Sequence, residues 1–270
     1  MVGNFMTAKW REWSGLYFEY LKCNFAQAIE YKTSSISQIM GMFINDFLWV
    51  AFWLIYFKKF PILNGWTVND VLAMWSIITL SFGIQSGFFL NLMQLPQIIT
   101  HGQLDYYLNL PRPVLPHLAM SKISYTNLGD MVFGLAIFFL IDDISIKKFI
   151  IYLIVAVLGS IIYASFIILI GSLSFFIGNS DSISSNLLNA LVHFSTYPTK
   201  IFTGWTRVLL FTVIPAGFLC EVPVELLKNF NWNSLILLMS VAMGLFCIAI
   251  KIFNIGLKRY ESGNMLTMKN

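Results

Sequence analysis

Five stretches of this chain, residues 36–57, 71–93, 121–141, 149–178 and 233–256, each run for 20 residues or more with few charges to interrupt them. A helix that crosses the roughly 30 Å hydrocarbon core of a bilayer needs about 20 such residues. In lipid only helices and closed barrels satisfy every backbone N–H and C=O. These runs therefore predict an all-α integral membrane protein, and their even spacing leaves no room for a water-soluble domain. Only 11% of the 270 residues are charged, against about 25% in soluble domains, so lipid is the solvent for most of the surface. Residues 1–270 read as one membrane domain.

A sixth segment, 183–202, is more polar. Its Asn186, Asn189, His193 and Ser195 suit a helix turned towards protein or a water-filled cavity rather than lipid. Residues 205–228 hold a pure apolar run only from Val208 to Ile214 before Pro215 interrupts it, and Arg207, Glu221, Pro223 and Glu225 flank or break the rest. That predicts a re-entrant helical hairpin on the outer side, not a seventh span. Residues 9–31 place Trp10, Trp13, Tyr17, Tyr20, Leu21, Phe25 and Ala28 on one helical face, with Glu12, Glu19 and Glu30 opposite. This is the pattern of an amphipathic helix in the membrane interface, where aromatic rings favour headgroup depth, or of one packed on protein. The apolar runs begin only near Ile36, after this charged segment, unlike a cleaved signal peptide.

With six spans and both termini cytoplasmic, ten of the 17 lysines and arginines lie on the inner side and seven on the outer, a modest positive-inside bias. A seventh span would put Lys258 and Arg259 outside. The net charge of +4 is thus a matter of topology and forms no basic stripe that could track nucleic acid.

Several chemistries find no support. Cys23, Cys220 and Cys247 are far apart and indicate neither a disulfide framework nor a metal site. His101, His117 and His193 form no HExxH pattern, and no Gly-x-x-x-x-Gly-Lys-Ser/Thr loop is present to bind nucleotide phosphates. The expectation is a chain with no catalytic site, metal or cofactor of its own.

Four polar residues stand inside otherwise apolar spans: Asn45 and Asp46 in the first, Gln85 in the second and Asp130 in the third. A charge there costs at least about 2.5 kcal/mol on insertion scales, so lipid exposure is disfavoured. They line a substrate route or hydrogen-bond a neighbouring helix. Ala156, Ser160, Ala164, Gly171 and Gly178 on the fourth span form a small-residue face that permits close helix approach.

The most structured connection is the loop after the second span, 94–113. Gly102 can end a short helix, Asp105 can cap the next, and Pro111 and Pro113 set an extended exit. Ile99-x-x-Gly102-x-Leu104-Asp105 followed by Leu108-x-x-Pro111, the proline-broken segment from Phe211 to Pro223, and the tail Leu257-x-x-Tyr260-Glu261-Ser262 together resemble the permease subunits of type 2 ABC exporters, in particular a bacterial branch of them. The likeness covers nearly the whole chain; each motif is short, and the specificity lies in their order.

The resemblance implies a fold of six spans and a place in the bacterial cytoplasmic membrane. It implies that ATP and Mg are bound by a separate ABC ATPase subunit, and that a second permease, related or identical, completes the transporter. The helix at 9–31 and the loop at 94–113 would face the ATPase, with Gly102, Leu104, Asp105 and Pro111 as coupling residues. The outer hairpin, with Pro215, Glu221, Pro223 and Glu225, would cap the route. Drugs, peptides and lipids all fit the expected lining as exported substrates. The rival readings are an integral membrane enzyme acting on lipids, which would need acids or histidines gathered at one depth, and a non-transporting assembly partner.

Overall fold

The computed structural model describes residues 2–30 and 32–261; Ser262 of the tail motif lies outside them. The chain runs through α1 (Val2–Glu30), α2 (Lys32–Lys59), α3 (Val68–Phe88), α4 (Leu95–Thr100), α5 (Leu104–Leu108), α6 (Val114–Met120), α7 (Leu128–Phe138), α8 (Ile146–Gly171), α9 (Ser174–Ile177), α10 (Asp181–Ser195), α11 (Trp205–Thr212), α12 (Ala216–Leu219), α13 (Glu221–Lys228) and α14 (Trp232–Leu257), with 3₁₀ turns at Leu90–Gln94 and Thr199–Ile201. Among the described residues the only β feature is an isolated bridge between Leu63 and Trp66.

The first, second, fourth and last expected spans are α2, α3, α8 continued by α9, and α14, each long and apolar enough to cross a membrane. The third and fifth are shorter than the sequence suggested. Helix α7 has 11 residues, about 16 Å at 1.5 Å per residue, roughly half the hydrocarbon thickness. Residues 121–127, expected inside it, are turn and extended chain; Ser124 Oγ accepts the Asn127 N–H at 3.2 Å. Serine and threonine side chains compete with the helical ladder in this way. Helix α10 stops at Ser195 because Pro198 follows and a residue before proline avoids the α conformation. Counting by length and composition, the described residues hold four spanning helices, or five if the bent pair at 205–212 and 216–228 is one span.

Helix α3 is apolar all round and buried along nearly its whole length, as expected of a central helix. Its capping box explains where it starts: the Asp70 carboxylate accepts from the Thr67 N–H at 2.8 Å and the Thr67 hydroxyl at 3.0 Å. Helix α7 lies against it through small residues. A Cβ on Gly134 would stand 2.8 Å from the Leu80 nitrogen, and one on Gly83 would stand 2.8 Å from the Met131 nitrogen, so neither glycine can be replaced without parting the helices. Ser76 Oγ donates to the Gly134 carbonyl at 2.8 Å across the same contact. On α8, Ala156 is buried and Gly171 packs on Leu95, whereas Gly178 has φ +72° and ends α9. The small-residue face of α8 therefore serves partly for packing and partly for chain reversal. Helices α2 and α14 expose rows of large apolar residues, among them Ile44, Phe47 and Ile55 on α2 and Ile236, Met243 and Ile248 on α14.

Candidate functional site

The loop between the second and third expected spans is a folded unit of three short helices. Gly102 has φ +73°, and its N–H reaches the Ile99 carbonyl at 3.3 Å. It closes α4 as expected, in a backbone conformation that side chains other than glycine resist. Asp105 is not the cap of α5. That position belongs to Gln103, and Asp105 lies in the first turn, where a carboxylate suits the positive end of the helix. Leu104 is fully buried in a second apolar cluster with Leu95, Ile99, Leu118, Ala249 and Phe253. The loop is thus pinned to the C-terminal end of α14, and the large apolar surface it leaves exposed is Tyr106 and Leu108. Pro111 is exposed, and Pro113 is extended at φ −59°, ψ 127°, leading into α6.

Side chains that the motif reading missed hold this unit together. The Asn91 amide donates to Tyr107 Oη at 3.0 Å, to Ser121 Oγ at 2.8 Å and to the Leu118 carbonyl at 3.2 Å, tying the 3₁₀ turn to α5 and α6. Helix α1 docks on the same loop. Tyr20 Oη and His117 Nε2 share a hydrogen bond of 2.8 Å, and Arg112 lies 5.6 Å from the centre of the Trp13 ring, a cation–π contact. Burial, with help from the Arg112 charge, holds His117 below its usual range. Tyr260, just past α14, lies against the loop; burial, reinforced by the neighbouring Asp105 carboxylate, pushes its phenol up to about 12. The aromatic face of α1 is half-buried at Trp13, Tyr17, Tyr20 and Leu21, while Phe25 and Glu19 are exposed. No single motif announces these contacts; the clustering of Tyr, His and Asn in 91–121 was the only available signal.

The polar residues of the spans separate into three places. Asp46 and Asp130, both buried, lie on α2 and α7, which pack against each other. Asn45 donates to Asp46 Oδ1 at 3.4 Å, while Asp46 Oδ2 and Asp130 Oδ1 have no partner among the described residues. Gln85 is not part of this group: it faces α6, α8 and α14. Asn186, Asn189 and His193 are exposed on one face of α10 together with Ser182 and Ser185, whereas Ser195 turns inward and donates to the Leu191 carbonyl. The face lies next to a cleft bounded by Asp181, Ser184, Ser185 and Asn189 of α10 and by Met93 and Gln97.

On the opposite end of the bundle the proline-broken segment bends by 68° between α11 and the α12–α13 pair. Pro215 sits at the break. Pro223 lies in the first turn of α13, where its missing N–H costs no ladder bond. Glu221 is buried; it accepts from Arg207 at 2.8 Å and from the Thr199 hydroxyl, closing the bend on itself. Lys228 donates to Asp70 at 2.9 Å and fastens the end of α13 to the start of α3. Glu225 is exposed.

Residues 40–263 match a family described as "ABC-2 family transporter protein". No curated protein and no solved structure matches the chain.

Proposed function

Because the chain belongs to the ABC-2 family of transporter proteins, we propose that it is the membrane-spanning permease of an ATP-driven exporter whose ATPase is a separate subunit. The observation that carries the mechanism is the anchoring of the loop: Leu104 sits in one apolar cluster with Ala249 and Phe253 of α14 and Ile167 and Ile168 of α8. A load applied to Tyr106 and Leu108 from the membrane surface passes through packed side chains into these two long helices. Packed interiors respond to such a load by rigid-body displacement, not by continuous deformation. The ATPase therefore docks on Tyr106, Leu108 and the adjoining face of α1, with Gly102 and Asp105 setting the loop's shape.

A second permease, identical or related, covers the polar face of α10, so that Asn186 and Asn189 border the route between two halves. The α11–α13 bend caps that route at the other end. ATP and Mg belong to the ATPase subunit. The membrane is the bacterial cytoplasmic membrane, with six crossings and both termini inside.

The test is to purify the tagged chain from its native membranes in mild detergent, identify the accompanying polypeptides by mass spectrometry, and assay the complex for ATP hydrolysis. A Walker-motif ATPase in the complex, with hydrolysis that depends on this chain, is the expected result. A chain that comes alone and shows no nucleotide dependence would sink the reading and favour an assembly partner or a lipid-acting enzyme.

A further inference from the structure

A cavity of about 340 Å³ lies between α3, α6, α8 and α14, within the size range of small-molecule sites. It exists because Ser160 and Ala164, one turn apart on α8, are too small to fill the space facing Phe246 and Ile250 of α14. Its wall is almost wholly apolar. The exceptions are Ser160, whose hydroxyl donates to the Val157 carbonyl at 2.8 Å, and Gln85, which is 1% exposed: its Nε2 reaches the Phe89 carbonyl at 3.5 Å, and its Oε1 has no partner among the described residues. A buried acceptor left in this state is unfavourable until a donor arrives.

At Ile250 this wall meets an open groove along α14 that carries Lys251, Asn254 and Lys258. The two lysines are seven residues apart, two turns on one face. Helix α14 has 26 residues, about 39 Å, longer than the roughly 30 Å hydrocarbon core. Its C-terminal end therefore emerges from the apolar layer, and Lys251 reaches the headgroups along its aliphatic stem.

An apolar chamber, an unpaired acceptor at its edge and two cations at headgroup depth are together complementary to one class of molecule. We propose that this is a resident binding site for an anionic glycerophospholipid with a hydroxylated headgroup. Its acyl chain fills the cavity beside Ala164, its phosphate lies against Lys251 and Lys258, and a headgroup hydroxyl donates to Gln85 Oε1. The inference rests on the membrane location alone and is independent of the export reading.

The full-length protein would be reconstituted into vesicles of equal phosphatidylglycerol and phosphatidylcholine, re-extracted in mild detergent, and its retained lipid quantified by mass spectrometry. A lysine beside an anionic headgroup is worth about a fivefold preference, so wild type should enrich phosphatidylglycerol at least about tenfold. Lys251→Gln with Lys258→Gln should remove most of that enrichment. Ala164→Phe, which fills the chamber, should lower retention of both lipids. Thermal unfolding in phosphatidylcholine alone keeps folding separate from binding: the lysine double variant should match wild type there and lose only the stabilisation by added phosphatidylglycerol. Retention at the vesicle ratio by wild type, undiminished enrichment in the lysine double variant, or undiminished total lipid retention by Ala164→Phe would overturn the proposal.

Discussion

Leu104 and Tyr106 stand two residues apart on one short helix and have opposite roles. Leu104 is fully buried and Tyr106 is 61% exposed. Leu104→Ala should therefore lower stability by about 2–5 kcal/mol, as large-to-small changes in packed sites do, measured by thermal unfolding in detergent. Tyr106→Ala should leave the unfolding temperature unchanged and weaken the coupling of ATP hydrolysis to transport in the assembled complex; the reverse pattern would mean the wrong residue has been placed on the docking face. His117 makes the joint with α1 sensitive to pH. Its folded-state pKa lies below the ordinary 6.5 because burial and Arg112 disfavour the charged ring. The stability contributed by the neutral ring is fully present above about pH 6.5 and is lost as pH falls through the lower folded value, since the unfolded state binds the proton first. The protection of α1 amides relative to their intrinsic exchange rates should thus fall between pH 7.5 and pH 5.5, and His117→Gln should remove most of that difference. An equal loss of protection in the variant would assign the effect elsewhere.

The elements differ in how well they could be read. Helices α2, α3, α8 and α14 follow directly from their apolar runs. Helix α7 is shorter than its run because the serines, threonine and asparagine at 121–127 take the backbone into turns, and α10 is cut by Pro198. The crossing number is accessible to chemistry: in a background without Cys23, Cys220 and Cys247, Asn64→Cys and Glu261→Cys should react with impermeant maleimide from opposite sides of the membrane. Reaction from one side would rule out the six-span arrangement. The bent segment is held by named ion pairs, Arg207–Glu221 and Lys228–Asp70, not by its apolar residues alone. Asp70→Asn removes the charge facing Lys228 and should raise hydrogen exchange across 216–228 while leaving α14 protected; unchanged exchange would show that the Lys228–Asp70 pair does not hold the bend.

For the whole molecule, the proposed function requires the loop, α1 and the tail to move as one body. Asp105→Arg should uncouple export from ATP hydrolysis while the chain remains folded, because Asp105 faces Tyr260 from the first turn of α5; wild-type export by that variant would remove the loop from the mechanism. Membrane insertion, the helical class, the glycine that ends α4 and the proline at the bend were legible in the sequence, since each follows from rules acting within a few residues: lipid forbids unpaired backbone, glycine admits positive φ, and proline lacks an N–H. What could not be read are relations between distant residues. Asp46 and Asp130 lie on helices that pack together while Gln85 faces others, Tyr20 finds His117 across 97 residues, and Ser160 and Ala164 border a cavity. Hydrophobic pattern decides which face of a helix turns away from water but is indifferent to which neighbour that face meets. That choice is made by the shapes and unpaired hydrogen-bonding groups that only the packed bundle brings together.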